Sequence, residues 1–243
     1  MIKISALIAA VMTLSIPWAL GVVSMTSIDN FVSSSESWQV GGAGIQPVRV
    51  ASAGPDGQIG YLSHFSDGSS ANGKWLMWTE HSDWTGNYTS AGIREISLEA
   101  KVSSGTNPVN LRVAFDGPGG WFYYSTPISS GSHWNALRFI LDSSNFTYAT
   151  GSGGTGSFSA TLSSVTRFEI LAGGGAVSYR SGGDLLQAGT SSNTIFIDNI
   201  SAVPEPSALS LLAVGLGGLV LRRRWRSHLA SCPDLVKRAS CSL

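Results

Sequence analysis

The chain has 243 residues, of which 43% are hydrophobic and 12% are charged, and its formal net charge is zero. This balance hides an asymmetry, because residues 25–203 contain eight Lys and Arg but thirteen Asp and Glu, a net charge of −5. An acidic central region argues against nucleic acid as a partner, since such partners need clustered basic residues. Both cysteines, Cys232 and Cys241, lie beyond this region, so a domain within it has to be stable without disulfides.

The N-terminus predicts a cleaved secretory signal peptide. Lys3 supplies a short positive region, residues 4–19 are almost entirely apolar, and small residues follow as far as Ser24. This order is typical of a signal helix that enters the Sec translocon and is removed by signal peptidase. We therefore expect a signal peptide over residues 1–24, with a retained N-terminal anchor as the alternative.

Residues 25–202 are predicted to form one all-β domain. In the stretch 95–102, apolar residues alternate with charged or polar ones, which is the pattern of a half-buried strand. Turn residues recur between such stretches, and no βαβ rhythm is present. The fold class expected is an antiparallel, jelly-roll-like β-sandwich. The other clear strands are predicted over residues 110–115, 121–126, 134–141, 165–171 and 194–201.

Aromatic residues are the candidate ligand-binding residues of this domain. Trp84, Asn87 and Tyr88 lie in a turn-rich stretch, where rings are more often exposed. Aromatic faces stack on the C–H faces of sugar rings, and Asn or Tyr can hydrogen-bond to sugar hydroxyls. These three residues are predicted to bind carbohydrate, and core packing of the two rings is the open alternative. Core packing is the prediction for the tryptophans inside strand patterns, Trp75, Trp121 and Trp134.

No enzyme signature occurs in the sequence. It contains no Gly-x-Ser-x-Gly elbow, HExxH helix or P-loop. The stretch His81-Ser82-Asp83 has the residue types of a catalytic triad, but adjacent residues cannot all converge on one point. Acidic residues are abundant, yet nothing singles out the carboxylate pair that a glycosidase needs. We therefore predict that the protein is not an enzyme.

The C-terminal region combines a proline-containing stretch that ends the last strand, an apolar segment and a basic cluster. Val203-Pro204-Glu205-Pro206 ends the last strand, because proline lacks an N–H, and the apolar run 207–221 precedes Arg222-Arg223-Arg224. A helix over the apolar run would be about 22 Å long, shorter than the ~30 Å hydrocarbon core of a bilayer. The arginines would hold its end at the cytoplasmic headgroups. We expect a short hydrophobic helix that enters the membrane.

This order of parts resembles the PEP-CTERM sorting signal of bacterial envelope proteins. The resemblance implies that residues 203–226 are recognised by an exosortase, a transpeptidase-like membrane protease. It also implies that the chain is held transiently in the inner membrane and then reaches the cell surface or an extracellular polysaccharide matrix. No role is predicted for the basic tail, residues 227–243. A permanently anchored periplasmic binding protein is the alternative.

Short motifs along the central domain resemble the laminin IV type A domain and related galactose-binding-like jelly rolls. They are Gly60-Tyr61-Leu62, the stretch 78–88, Trp121-Phe122, Trp134, the stretch 162–170 and the stretch 195–200. The resemblance implies a sandwich used for adhesion, carbohydrate binding or matrix structure. A secreted carbohydrate-active enzyme on the same fold is the rival function. In calcium-bearing relatives a carboxylate of the last strand meets oxygens of the first, which implies Asp198 and Asp29 as ligands of a structural calcium ion.

Overall fold

The computed structural model describes residues 27–40, 46–57, 59–66, 75–103, 109–173, 177–180, 184–187 and 193–205. The predicted signal peptide, the apolar helix, the arginine cluster and the basic tail lie outside the described residues. Within these ranges, no helix is long and apolar enough to cross a membrane. The chain divides into two units, Met1–Pro204 and Glu205–Leu243.

The described part of the chain is built mainly from short strands. In chain order they are β1 (Ile28–Asp29), β2 (Gln39–Val40), β3 (Val48–Ala53), β4 (Ile59–Ser66), β5 (Trp75–Thr79), β6 (Ile93–Val102), β7 (Val109–Asp116), β8 (Phe122–Ile128), β9 (Asn135–Ile140), β10 (Thr147–Tyr148), β11 (Arg167–Gly173), β12 (Val177–Arg180), β13 (Asp184–Gln187) and β14 (Asn193–Pro204). A short helix, α1 (Phe158–Ser163), lies between β10 and β11.

The strands form two antiparallel sheets that enclose the core. The first sheet has the order β3-β4-β14-β6-β9, with β1 paired to β14, and the second has the order β10-β8-β7-β11-β5-β2. Strands β12 and β13 pair with each other. The predicted antiparallel, jelly-roll-like β-sandwich is confirmed. The six stretches predicted as strands are β6, β7, β8, β9, β11 and β14.

Alternation along the strands decides which side chains enter the core. On β6, Ile96, Leu98 and Ala100 are at most 2% exposed, while the residues between them face away from the core. The second sheet contributes Phe115 and Phe168, whose rings stack with centroids 5.0 Å apart. Burial of such side chains contributes about 1.5 to 3 kcal/mol each, which is the main force holding the two sheets together.

A close backbone contact fixes the segment that follows β1. Gly60 has a φ of +141°, and a Cβ at this position would lie 2.2 Å from the carbonyl oxygen of Phe31. The Phe31 carbonyl also accepts a hydrogen bond from Arg49 Nε at 2.6 Å. The absence of a side chain at Gly60 therefore allows β4 to approach the chain just after β1.

We expect Gly60→Ala to lower the free energy of unfolding by about 3 kcal/mol, because it adds both a strained φ and a backbone clash. Gly57→Ala is the matched control, since Gly57 also has a positive φ but a Cβ there meets no atom within 4 Å. The control is expected to cost about 1 kcal/mol. Urea unfolding measures both values, and equal costs would contradict the close contact.

Candidate functional site

The rings predicted to stack on sugars lie in the core. Trp84 is 1% exposed and Tyr88 is 0% exposed, and their rings contact Phe168 and Phe115 at centroid distances of 5.3 and 5.2 Å. The turn-rich stretch is held inward because the N–H of Tyr88 donates to the carbonyl of Leu162 at 2.9 Å. The interpretation of Trp84 and Tyr88 as carbohydrate-binding rings is therefore corrected, and the alternative of core packing holds.

Asn87 has a local structural role in the same stretch. Its side-chain Oδ1 accepts a hydrogen bond from the N–H of Ser90 at 2.8 Å. Its backbone carbonyl accepts from the N–H of Ala91 at 3.1 Å. These bonds stabilise the turn that leads into β6, so this geometry gives Asn87 a turn-forming function.

Asp29, one of the two predicted calcium ligands, is held by two tryptophans. Its Oδ2 accepts a hydrogen bond from Trp38 Nε1 at 2.6 Å and another from Trp84 Nε1 at 2.7 Å. Asp29 is 7% exposed, and a buried carboxylate needs such donors to offset its lost hydration. The indole of Trp84 thus stabilises Asp29 from within the core.

A second carboxyl group joins this network. Burial raises the pKa of Glu36 to about 8, and the neighbouring charge of Asp29 adds to the effect. Burial also raises the pKa of Asp29, while its hydrogen bonds to Trp38, Glu36 and Trp84 oppose that rise. The Glu36 carboxyl is therefore protonated at neutral pH and donates a hydrogen bond to Asp29.

The second predicted calcium ligand, Asp198, has partners of its own. Its Oδ1 accepts from the N–H of Asn199 at 2.8 Å. A Cβ on Gly54 would lie 2.3 Å from its Oδ2, so that oxygen packs directly against the Gly54 backbone. Burial raises the pKa of Asp198 to about 7, with smaller contributions from the charges of Asp56 and Glu99.

The structural calcium at Asp29 and Asp198 stays a prediction. Calcium requires six to eight oxygen ligands, and at Asp29 the Oδ2 oxygen accepts two indole N–H groups. In the part of the chain that the structure describes, no three His, Cys, Asp or Glu side chains come together as a metal site. We assign no metal-dependent step to Asp29 or Asp198.

The outer face of the first sheet carries an aromatic cluster that the sequence did not single out. Lys101 Nζ lies 4.7, 5.1 and 5.9 Å from the ring centroids of Phe196, Trp134 and Tyr61. The Tyr61 ring meets Trp134 and Phe196 edge-on at 5.4 and 5.6 Å. We call these three rings around Lys101 the aromatic cluster.

The prediction that Trp134 packs in the core is wrong. It is half-buried and immediately precedes β9. The next residue, Asn135, pairs with Ala100 of β6, so Trp134 lies beside Lys101 at the edge of the sheet. Trp75 and Trp121, in contrast, are each 1% exposed, as predicted.

A cleft of about 660 Å³ lies on the same sheet as the aromatic cluster. Its polar lining consists of Asp56, Glu95, Ser97, Glu99, Arg138, Asn199 and Ser201. Arg138 Nε and Nη2 donate to the two carboxylate oxygens of Glu95 at 2.7 and 2.6 Å. Asn199 Nδ2 donates to Glu99 Oε2 at 2.8 Å. We call these seven residues the polar cleft. Along β6, Glu99 at one end of the cleft lies two residues from Lys101 on the same face of the strand.

The two glutamates of the polar cleft are poorly placed for hydrolysis. Glu95 and Glu99 are four residues apart on β6, a separation of about 13 Å along a strand. Glycosidases hold their two carboxyl groups about 5 to 9.5 Å apart. Both acids also have hydrogen-bonded partners, Arg138 and Asn199. This pair therefore does not have the spacing of a glycosidase's two carboxyl groups.

The first residues of the predicted sorting motif belong to the sandwich. Val203 and Pro204 end β14 and pair with Glu95 and Ile93 of β6. Glu205 follows the strand and is exposed. Pro206 and Arg222-Arg223-Arg224 lie outside the described residues.

The protonated Glu36 predicts a pH-dependent stability. Because folding raises its pKa from 4.5 to about 8, the folded state keeps a proton that the unfolded state releases. The contribution is therefore fully present below about pH 4.5 and is lost as the pH rises toward 8. We expect Tm to fall across this window.

Glu36→Gln should flatten the dependence, since its amide donates to Asp29 at every pH. Thermal unfolding monitored by circular dichroism between pH 4 and 9 measures the slope. Glu80→Gln, a change at an exposed glutamate, serves as the control and should keep the wild-type slope. Parallel curves for the wild type and Glu36→Gln would contradict the shared proton.

Several solved structures are similar to the chain. The family 11 carbohydrate-binding module of a cellulosomal cellulase from Clostridium thermocellum aligns with a TM-score of 0.47 and 16% identity, over 74% of this chain and 95% of that chain. An exo-beta-agarase aligns with a TM-score of 0.47 and 12% identity, over 75% and 26%. A surface glycan-binding protein from Prevotella bryantii aligns with a TM-score of 0.41 and 14% identity, over 76% and 56%. At these TM-scores, no property of the three proteins transfers to this chain.

Among curated proteins, none matches the chain. A family model described as the PEP-CTERM protein-sorting motif matches residues 202–224. The match includes Pro204-Glu205-Pro206 and ends at Arg224, so the resemblance drawn from these residues is confirmed. The chain therefore carries a PEP-CTERM protein-sorting motif, which indicates an exported protein that is sorted to the cell envelope.

Proposed function

We propose that this protein is an exported envelope component that binds polysaccharide through the outer face of its first sheet. The observation that carries the proposal is the position of the aromatic cluster beside the polar cleft on that face. In this account an exosortase processes the chain at the sorting motif and releases it to the cell surface or an extracellular matrix. Export through the Sec translocon, removal of residues 1–24 by signal peptidase and a transient stay in the inner membrane precede that step.

The aromatic cluster supplies an apolar platform for sugar rings. Trp134 and Phe196 are only half-buried, so parts of their rings face solvent. The ammonium group of Lys101 interacts with all three rings and holds them in place. Ordered aromatic side chains provide contact area at low entropic cost, as a stacking surface requires.

The polar cleft supplies hydrogen-bonding groups for sugar hydroxyls. Arg138, Glu95 and Glu99 each retain donors or acceptors beyond the bonds within the cleft. Ser97 and Ser201 form a hydrogen bond of 2.7 Å between their hydroxyls, and each hydroxyl can both donate and accept. Because the side chains already hold one another, little ordering is needed on binding.

The charges of this face favour a neutral polysaccharide. Glu95 and Glu99 are balanced by Arg138 and Lys101, and exposed Asp56 adds one acidic group to the lining of the cleft. A polyanion would meet three acidic groups and only two basic ones, so it would gain little. The extended cluster and cleft therefore suit a chain of uncharged sugars.

Trp134→Ala and Arg138→Ala are each expected to weaken polysaccharide binding at least about ten-fold, since each removes a central contact. Affinity electrophoresis in gels containing galactomannan or xyloglucan measures the effect, with alginate as the polyanionic comparison. Tyr179→Ala is the control, because Tyr179 is half-buried but belongs to β12, outside the first sheet. Unchanged mobility of the wild type in every gel would contradict the proposal.

Sorting is tested by the mass and location of the C-terminus. We expect a shortened chain outside the inner membrane in a host that has the exosortase. In an exosortase knockout, and in a variant with Pro204-Glu205-Pro206 replaced by alanines, the full-length chain should remain in the membrane fraction. Intact mass spectrometry of each fraction gives the result. A full-length chain in every strain would favour permanent anchoring in the periplasm.

A further inference from the structure

The sorting motif overlaps the folded sandwich. Residues 202–224 match the motif, while β14 continues as far as Pro204. Ala202, Val203 and Pro204 therefore belong both to the signal and to a strand of the first sheet. This overlap constrains where a protease can cut the folded protein.

The backbone of Ala202, Val203 and Pro204 pairs with β6, and Ala202 is also bonded on its other side. Ala202, Val203 and Pro204 pair with Ile96, Glu95 and Ile93 of β6. On the other side, the N–H of Ala202 donates to the carbonyl of Ser27 at 3.1 Å. Ala202 is also 4% exposed, so its side chain is part of the core.

The position of β14 makes the overlap hard to strip from the sheet. The strand lies between β6 on one side and β4 and β1 on the other. Enzymes that take up a peptide as an added strand require the N–H and C=O groups of that peptide to be available. The backbone groups of Ala202, Val203 and Pro204 become available only if the end of β14 detaches locally from the sheet. The exposed residue Glu205 is the first position beyond the strand.

We propose that the processing enzyme cuts no earlier than the bond between Pro204 and Glu205, so that the sandwich sets the N-terminal limit of the cleavage site. The inference rests on the proposed processing by an exosortase. In this step the amide C–N bond breaks. The acyl carbon passes to water or to an amine or hydroxyl acceptor, and the departing amine of the next residue takes up a proton. The mature protein then keeps Ala202, Val203 and Pro204.

Cutting no earlier than the bond after Pro204 also preserves the fold of the mature protein. A cut before Ala202 would remove the pairs with Ile96, Glu95 and Ile93 and would expose part of the core next to β1. A cut after Pro204 leaves β14 complete. The released protein therefore has the same sandwich as the membrane-held precursor.

The test is the C-terminal residue of the processed protein, determined by intact mass and C-terminal peptide sequencing. The full chain is expressed in the exosortase-positive host beside a variant with Gly-Ser-Gly-Ser inserted between Pro204 and Glu205. We expect the C-terminus at Pro204 or later in the wild type. In the variant we expect it at Pro204, within the insert or later, with at least the wild-type yield. A terminus at Val203 or earlier in either protein would overturn the inference.

Two further readouts separate this inference from the proposed processing. No shortening in any strain would overturn the exosortase step itself, whereas shortening at an earlier bond would overturn only the position. Hydrogen exchange of the unprocessed protein tests the physical basis independently. The amide of Ala202 should exchange at least about 100-fold more slowly than in an unfolded peptide, and exchange at the unfolded rate would overturn the proposed limit.

Discussion

The pairing of β14 with β6 is the constraint on which the rest of the structure depends. Its register sets Phe196 opposite Lys101, Asp198 opposite Glu99 and Ser201 opposite Ser97. A slip of one residue would move the outward side chains of β14 into the core and the inward ones to solvent. The same ladder therefore places the inner core, assembles the outer face and joins the sorting motif to the fold.

A buried charge secures the N-terminal end of this arrangement. Strand β1 is only two residues long and pairs with β14 through Ile28 and Asp29. Two pairs alone would hold such a segment weakly. The carboxylate of Asp29 binds the indoles of Trp38 and Trp84 as well, and loss of it would leave two buried N–H donors unsatisfied. In a sandwich without cysteines, this network holds the β1 segment to the core, as a disulfide crosslink would.

The sequence predicted local features well and long-range ones poorly. Alternation identified β6 and β7 because a strand with one buried face shows its period directly. Pro204-Glu205-Pro206 was equally clear, because it is a contiguous motif. Exposure of Trp84 was inferred from turn residues around it, but the stretch folds inward through backbone bonds to Val165, nearly eighty positions away. No local pattern reports such a contact.

The aromatic cluster was missed for the same reason, because its members come from separate parts of the chain. Tyr61, Lys101, Trp134 and Phe196 meet only after four segments have paired in the correct register. Their spacing along the sequence contains no period. Tyr61 and Phe196 were noted only as parts of short resemblance motifs, and Trp134 was assigned to the core because it lies inside a predicted strand.

A backbone irregularity links the fold to the polar cleft. The pairing of β14 with β6 shifts between Asp198 and Ser201, and Asn199 has a φ of +50°. A bulge redirects the side chain that it carries, and a non-glycine residue adopts this conformation at an energetic cost. Here the redirected amide of Asn199 reaches Glu99 at 2.8 Å and lines the cleft. The register that builds the core therefore also sets the side chains that line the cleft.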